Sequence, residues 1–306
     1  MAKFDSKVFM ARNIFKRNRR KLVKDIKSRC KPVKGVPFSI PCKGAPDVST
    51  YLYRPQGSKS ENLPVIFNVH SGSWIGGDAL LLDTQSQHLA DSFKCAVVNI
   101  NYKKADEKVL PYAVYEIRDT VEYFAEHAEA IGVNKKKFVL MGYSTGAQLA
   151  ASAAQMLLAH KTPVCAQVLC YPFLDFTFGD GSQKELQKNW DELALLDKIF
   201  FKAIVKEHPL CSPGLETVEN LRGLAPAVFV LCGKDPLRIQ AEQYIEKLQQ
   251  AEVPVQVLDY PDAMAGFMDV NYPETTEDPA KNARQEQLCN ICEKELHKIL
   301  KEFWSK

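Results

Sequence analysis

Short apolar runs recur along the chain with amphipathic stretches between them. Val65–Val69, Ala96–Ile100, Phe138–Met141, Ala166–Cys170, Ala227–Cys232 and Val255–Leu258 are brief and almost continuously apolar. Runs of that kind predict buried parallel strands, and a further β-rich stretch lies near Val48–Tyr53. Ala79–Phe93, Ala113–Ala130, Thr145–Leu158, Leu237–Gln250 and Lys281–Trp304 carry apolar residues at helical spacing. In the last of these, Leu288, Ile291, Leu296, Ile299, Leu300 and Phe303 predict a single docking face. Strand–helix alternation predicts the α/β class, with a doubly wound, mostly parallel sheet covered by helices on both faces.

Two segments break the alternation. Between residues 4 and 26, Phe4, Val8, Ala11, Phe15, Leu22 and Ile26 fall at steps of three, four or seven, which predicts an amphipathic helix. Cys30–Pro46, rich in Pro and Gly, predicts a loop around a short strand. The connection from Cys170 to Ala227 is far longer than its neighbours and contains a helical pattern at Lys184–Val205. Long connections commonly serve as lids. Residues 1–35 and 173–215 are therefore expected to form a cap on one domain spanning residues 1–306.

Composition is that of a globular chain, with 46% apolar and 25% charged residues in 306, and it excludes a disordered or collagen-like protein. No apolar run approaches the roughly 18 residues of a membrane-spanning helix. The net charge of +3 hides an asymmetry: residues 1–35 hold 13 Lys and Arg against two Asp, and the rest holds 27 basic against 35 acidic residues. The basic end reads as the solvated face of a cap helix, with a membrane-surface or nucleic-acid tether as the alternative. Met1–Arg20 lacks the continuous apolar stretch of a secretory signal. The nine cysteines follow no framework spacing, and the pair Cys289–Cys292 has no second pair to complete a zinc site. Those two are expected to fill space on one helix face, and a reducing cytoplasm is the expected compartment.

The candidate chemistry begins at Gly142-Tyr143-Ser144-Thr145-Gly146, placed between a predicted strand and a predicted helix. This is the nucleophile-elbow pattern, in which small neighbours let strand and helix cross closely beneath a strained serine. The pentapeptide alone arises by chance in roughly one chain in ten of this length, so its placement carries the weight. At the end of the Val65–Val69 run stands His70-Ser71-Gly72-Ser73-Trp74. After Ala227–Cys232 comes Gly233-Lys234-Asp235-Pro236-Leu237-Arg238. An aspartate in such a turn can be a plain helix cap.

Together these motifs resemble the hormone-sensitive-lipase-like and arylacetamide-deacetylase-like esterases of the α/β-hydrolase fold. The resemblance covers most of residues 64–305 and includes Gly77-Asp78, Asn101-Tyr102, Glu126-His127-Ala128 followed by Gly132-Val133, Tyr171-Pro172 and Ser212-Pro213. It implies an eight-stranded, mostly parallel sheet with a helical cap. It also implies Ser144 as nucleophile, Asp235 as the acid that orients a histidine, and Gly72, Ser73 and Thr145 as backbone donors to the oxyanion. Ser71 and Ser73 stand where the family has glycines, which is compatible with the hole if those positions do not need positive φ. His70 is expected to brace the loop, and His127 to lie on a helix surface.

The pattern fails at one place. Where the family carries His-Gly-Phe, this chain reads Ala265-Gly266-Phe267. His88, His127, His160 and His208 precede Asp235, and His297 belongs to the last helix, so none is placed to substitute. Losing a triad histidine costs on the order of 10⁶ in kcat, about 8 kcal/mol of barrier. The resemblance therefore implies a serine carboxylesterase for small or aryl acyl esters, acting through an acyl-enzyme and nearly inactive as written. Ala265 is then either a substitution introduced into a working esterase or the mark of a natural pseudo-hydrolase that binds a ligand, as the gibberellin receptors of the superfamily do. Neither metal nor organic cofactor is required. The expected partner is a small ester, with neither nucleic acid nor stable membrane insertion; self-association stays open.

Overall fold

The computed structural model describes residues 6–42, 44–57, 62–177 and 206–305. Its frame is one eight-stranded sheet: β1 (Val36–Ile40), β2 (Val48–Tyr53), β3 (Leu63–Val69), β4 (Ala96–Asn101), β5 (Val133–Tyr143), β6 (Ala166–Cys170), β7 (Ala227–Cys232) and β8 (Val255–Tyr260). The spatial order is β1-β2-β4-β3-β5-β6-β7-β8. β2 runs antiparallel to both β1 and β4, and every other pairing is parallel.

The reason for the near-continuous apolar runs is visible in how the strands alternate. In β5, Phe138 and Leu140 face one core, while Val139 and Met141 face the other. In β7, Phe229 and Leu231 enter the first core, and Val228 and Val230 the second. Both faces are dry, so both phases of the strand must be apolar. The first face is covered by α3 (Tyr112–Glu126), α4 (Thr145–Ala159) and α5 (Arg238–Gln250), and the second by α2 (Asp83–Phe93) and α6 (Ala283–Ser305). α4 presents Ala147, Ala150, Ala151, Ala153 and Ala154, all buried. Small side chains there let its backbone lie close to the sheet, and alanine carries no helix penalty.

Four sequence expectations need correction. The run at Val255–Leu258 does form a parallel strand, but β8 is the sheet edge, and Val257 is 44% exposed. Ile291 was expected on the docking face of the last helix and is 46% exposed; Cys289, Cys292 and Trp304 complete that buried face. The stretch 113–130 is broken at His127 into α3 and a single turn, Ala128–Ile131. Likewise Ala79–Leu82 is a 3₁₀ turn, N-capped by Asp78, before α2 begins. The helical pattern at 184–205 lies outside the described residues.

The basic amphipathic helix, α1 (Ser6–Arg29), packs on the body through Ala11, Phe15 and buried Ile26. Arg19 fixes it in place. Its guanidinium grips both oxygens of Asp106, at 2.7 and 2.8 Å, and also donates to Ile75 O and to Glu107. Arg29 donates to the carbonyls of Pro273 and Glu274 at the other end. A planar fork on a carboxylate carries direction as well as charge. Phe9, Met10 and Ile14 are exposed on the outer side. Among the described residues no helix is long and apolar enough to cross a membrane.

Because the Asp106 side chain is only 2% exposed, Arg19→Ala strands a buried carboxylate. That variant is expected to lose about 3 kcal/mol in urea denaturation and to raise hydrogen exchange along α1; unchanged stability would mean that the contact does not hold the helix.

Candidate active site

The carboxyl ends of β3, β5, β7 and β8 carry every candidate residue, and backbone contacts lace their loops together. At the end of β5, Ser144 sits at φ 51°, ψ −117°, a conformation that costs a non-glycine residue about 1–3 kcal/mol. The neighbours show what enforces it. A Cβ on Gly142 would strike the carbonyl of Gly146, and one on Gly146 would strike the carbonyls of Val69 and His70. Only glycine at both positions lets strand β5, helix α4 and the end of β3 cross so closely. The elbow is clamped further by the Ser144 N–H donating to Cys170 O at 2.9 Å and by Phe173 N–H donating to Ser144 O at 3.3 Å. Thr145 opens α4, so its N–H has no carbonyl one turn back to bond.

The loop after β3 turns through Gly72 (φ 138°), Ser73 (φ 49°) and Trp74 (φ 62°). Ser73 does take the left-handed conformation that the family supplies with glycine. Ser71 does not, and its departure from glycine costs no backbone strain. Gly76 N–H closes the turn on Gly72 O at 2.7 Å. Trp74 is anchored by its indole N–H on Gln148 Oε1 at 2.8 Å and by the rings of Phe173 and Phe176, 4.9 and 4.7 Å away. His70 is buried, stacked on Tyr102 with ring centroids 4.4 Å apart. Its Nδ1 lies 2.5 Å from Ser71 O. Burial, and then the Lys104 charge, hold the imidazole well below the usual histidine range. It braces the loop.

Two residues near this loop gave no signal in the sequence. Asp269, four positions beyond Ala265, accepts hydrogen bonds from Ser71 Oγ and from Tyr171 OH, each at 2.6 Å. Burial pushes its carboxyl up to about 6, while the two hydroxyls pull it back. The serine that replaces a family glycine thus ties the loop after β3 to the loop after β8. Ser71 itself is half-buried, and its replacement of a family glycine is the one clue the sequence offers. Lys104, beside Lys103 in the sequence, reads as surface charge but is 3% exposed.

Asp235 lies in the turn between β7 and α5. Gly233 N–H donates to Tyr260 O and Lys234 N–H to Ala263 O, so this turn is stitched to the segment leading to Ala265. One Asp235 oxygen accepts the Leu237 N–H at 2.9 Å. Burial pushes the carboxyl up to about 6; the Leu237 amide and the Arg238 charge oppose that. Ala265 is exposed on a turn directly before Gly266, which adopts φ 95°.

Each histidine is engaged elsewhere. His88 pairs with Glu293, His160 with Glu122, and His127 is exposed and stacked on Tyr123. His208 accepts from Leu210 N–H, and His297 stacks on Phe93. His70 is held by Ser71 and Lys104. A cleft of about 630 Å³ lined by Asn62, Glu126, Glu129 and Lys135 opens where β3 and β5 begin, at the opposite end of the sheet.

A strained serine at a strand-to-helix elbow, on a sheet of this order, defines a class of protein, and the comparisons agree. Residues 66–269 match the family described as alpha/beta hydrolase fold. The chain belongs to that family. It is 29% identical over 209 residues to an arylesterase of Saccharolobus solfataricus, covering 66% of this chain and 67% of that protein. A carboxylesterase of Mycobacterium tuberculosis is 26% identical over 239 residues, covering 74% and 72%. Among solved structures, a thermostable esterase from Pseudomonas putida superposes with a TM-score of 0.75 at 26% identity, over 90% of this chain and 88% of that one. A fungal esterase of Rhizomucor miehei, at 23% identity and a TM-score of 0.78 over 99% and 94%, shares the fold.

Ser73→Gly removes a left-handed side chain and is expected to stabilise the fold by about 1 kcal/mol in urea. Asp235 titrates higher in the folded state than the usual carboxylate, so the fold holds its proton more tightly; the resulting stabilisation is complete at low pH and is lost as pH rises from about 4 to 6. Asp235→Asn removes that dependence. Relative to the unaltered chain the variant is expected to gain up to about 3 kcal/mol as pH rises through that window, with no further change above it. A gain that falls with rising pH would contradict the burial effect.

Proposed function

We propose that this chain has the framework of a carboxylic ester hydrolase acting on small or aryl acyl esters, complete except for the base of its triad. The observation that carries this reading is the strained Ser144 at the strand-to-helix elbow, held at φ 51° by the close crossing around Gly142 and Gly146. In the reaction, the Ser144 hydroxyl attacks the ester carbonyl and its proton must leave for a base. The oxyanion is received by the N–H groups of Gly72, Ser73 and Thr145. The alcohol departs with a returned proton, and water resolves the acyl-enzyme in the same way.

Ala265 supplies neither proton transfer, so oxyanion stabilisation and substrate positioning leave only residual turnover above the uncatalysed rate. Asp235 keeps the role of orienting an imidazole at position 265. The exposure of Ala265 favours this reading, because an imidazole installed there displaces no packed neighbour. The small ester is the partner; neither metal nor cofactor enters the chemistry.

Ala265→His tests the reading with p-nitrophenyl acetate. A rise in kcat of at least about 10³-fold is expected, given the 10⁶ that a triad histidine commonly contributes. No rise in a folded variant would overturn the esterase reading in favour of a ligand-binding pseudo-hydrolase.

A further inference from the structure

We propose that Lys104, acting through His70, orients and polarises the Gly72 amide of the oxyanion loop, which makes the pair positioning residues for the ester hydrolysis on which this inference rests. The argument starts at the ammonium. Lys104 Nζ has three acceptors: Tyr102 O at 2.6 Å, His70 Nε2 at 3.0 Å and Asn101 Oδ1 at 3.1 Å. The Asn101 oxygen faces it because the same amide's nitrogen donates to Asp78 Oδ2 at 3.0 Å. The Tyr102 ring centroid lies 4.0 Å from Nζ, and a ring face attracts a cation.

An ammonium only donates, so His70 Nε2 must be the lone-pair nitrogen. The hydrogen of the neutral ring is then on Nδ1, and it points at Ser71 O, 2.5 Å away. That carbonyl and the Gly72 N–H belong to one planar trans peptide unit. A hydrogen bond that fixes the direction of the oxygen fixes the direction of the N–H opposite it. It also draws electron density toward the oxygen and makes the N–H a better donor, an effect of about 10–30% per bond in hydrogen-bonded chains. The positive charge of Lys104 therefore reaches the oxyanion through a neutral ring and one amide, without the cation entering the pocket.

The surroundings hold this relay rigid. Tyr102 OH donates to His70 O at 3.1 Å. Gly77, at φ 71°, packs its backbone where any Cβ would strike Ser71 O and His70 Nδ1. Burial brings Lys104 down to about 7, with the carboxylates of Asp78, Glu116 and Glu107 working against that and Arg19 with it. Near neutral pH the ring thus sees the cation come and go; the neutral amine keeps two N–H donors for the three acceptors, and the Ser71 carbonyl, which can only accept, keeps the ring proton on Nδ1.

Nitrogen NMR of the unaltered chain with labelled histidine reads the relay directly. His70 is expected as the neutral Nδ1–H tautomer throughout, with its Nε2 resonance moving at a midpoint near pH 7 as Lys104 loses its proton. Lys104→Met is expected to abolish that movement. In the Ala265→His background, Lys104→Met is expected to lower kcat about 10-fold with KM within twofold, less than the 10²–10³ lost with a direct oxyanion donor. A His70 that carries its proton on Nε2, or a kcat indifferent to Lys104 in an active parent, would overturn the proposal. If Ala265→His shows no esterase activity, the esterase reading fails, and the tautomer of the unaltered chain still decides whether Lys104 governs His70. That measurement also stands if Lys104→Met does not fold.

Discussion

The contact on which the rest depends is the approach of Gly146 to the carbonyls of Val69 and His70. Strand β5 ends, the chain reverses into α4, and the first turn of that helix is pressed against the end of β3. With no Cβ at 142 or 146, the turn is short enough to drive Ser144 to positive φ. The same closeness brings the start of α4 against the loop that carries Gly72 and Ser73. The strained serine and the proposed oxyanion loop are therefore set by one close packing, not separately placed parts. The sheet makes this affordable: β3 and β5 are central, paired on both edges and buried on both faces, so the strain at one residue is small beside the core that resists relaxation.

Around that contact lie three buried or half-buried charged groups, Asp235, Asp269 and Lys104. Asp235 accepts one backbone hydrogen bond and is otherwise partly desolvated, which raises its carboxyl. A cation at position 265 would reverse that shift. Asp269 and Lys104 are more deeply buried but have their own partners: hydroxyls for the carboxylate, a lone-pair nitrogen and two oxygens for the ammonium. Neither is free to move a proton for Ser144. Both act on the loop after β3 at Ser71, Asp269 on its hydroxyl and Lys104, through His70, on its carbonyl. The loop after β3 is thus held rigidly by buried charges that have their own partners.

How much of this was legible in the sequence follows from the range of the forces involved. The central strands and their helices could be read because burial on both faces leaves continuous apolar runs. The elbow could be read because its glycines answer a local steric demand. What was misread depended on position in the sheet. Val255–Leu258 is apolar enough for the interior, yet β8 is an edge, and no local pattern says which strand comes last. The break at His127 was likewise invisible, since Ala128–Ile131 continues the helical spacing. Lys104 and Asp269 were missed for a different reason. Their partners lie 34 and 198 residues away, and a charged residue whose partner is distant looks like any solvated one. Ser71 stands out in the sequence as a departure from glycine, but only the fold supplies the acceptor of its hydroxyl.

The central claim is that Ser144 is poised and lacks only a base. Fluorophosphonate labelling of the unaltered chain, followed over time and located by peptide mapping, tests it most directly. The expected result is slow labelling confined to the peptide that contains Ser144, faster when free imidazole is added. Rapid labelling without imidazole, or labelling spread over other residues, would contradict the account.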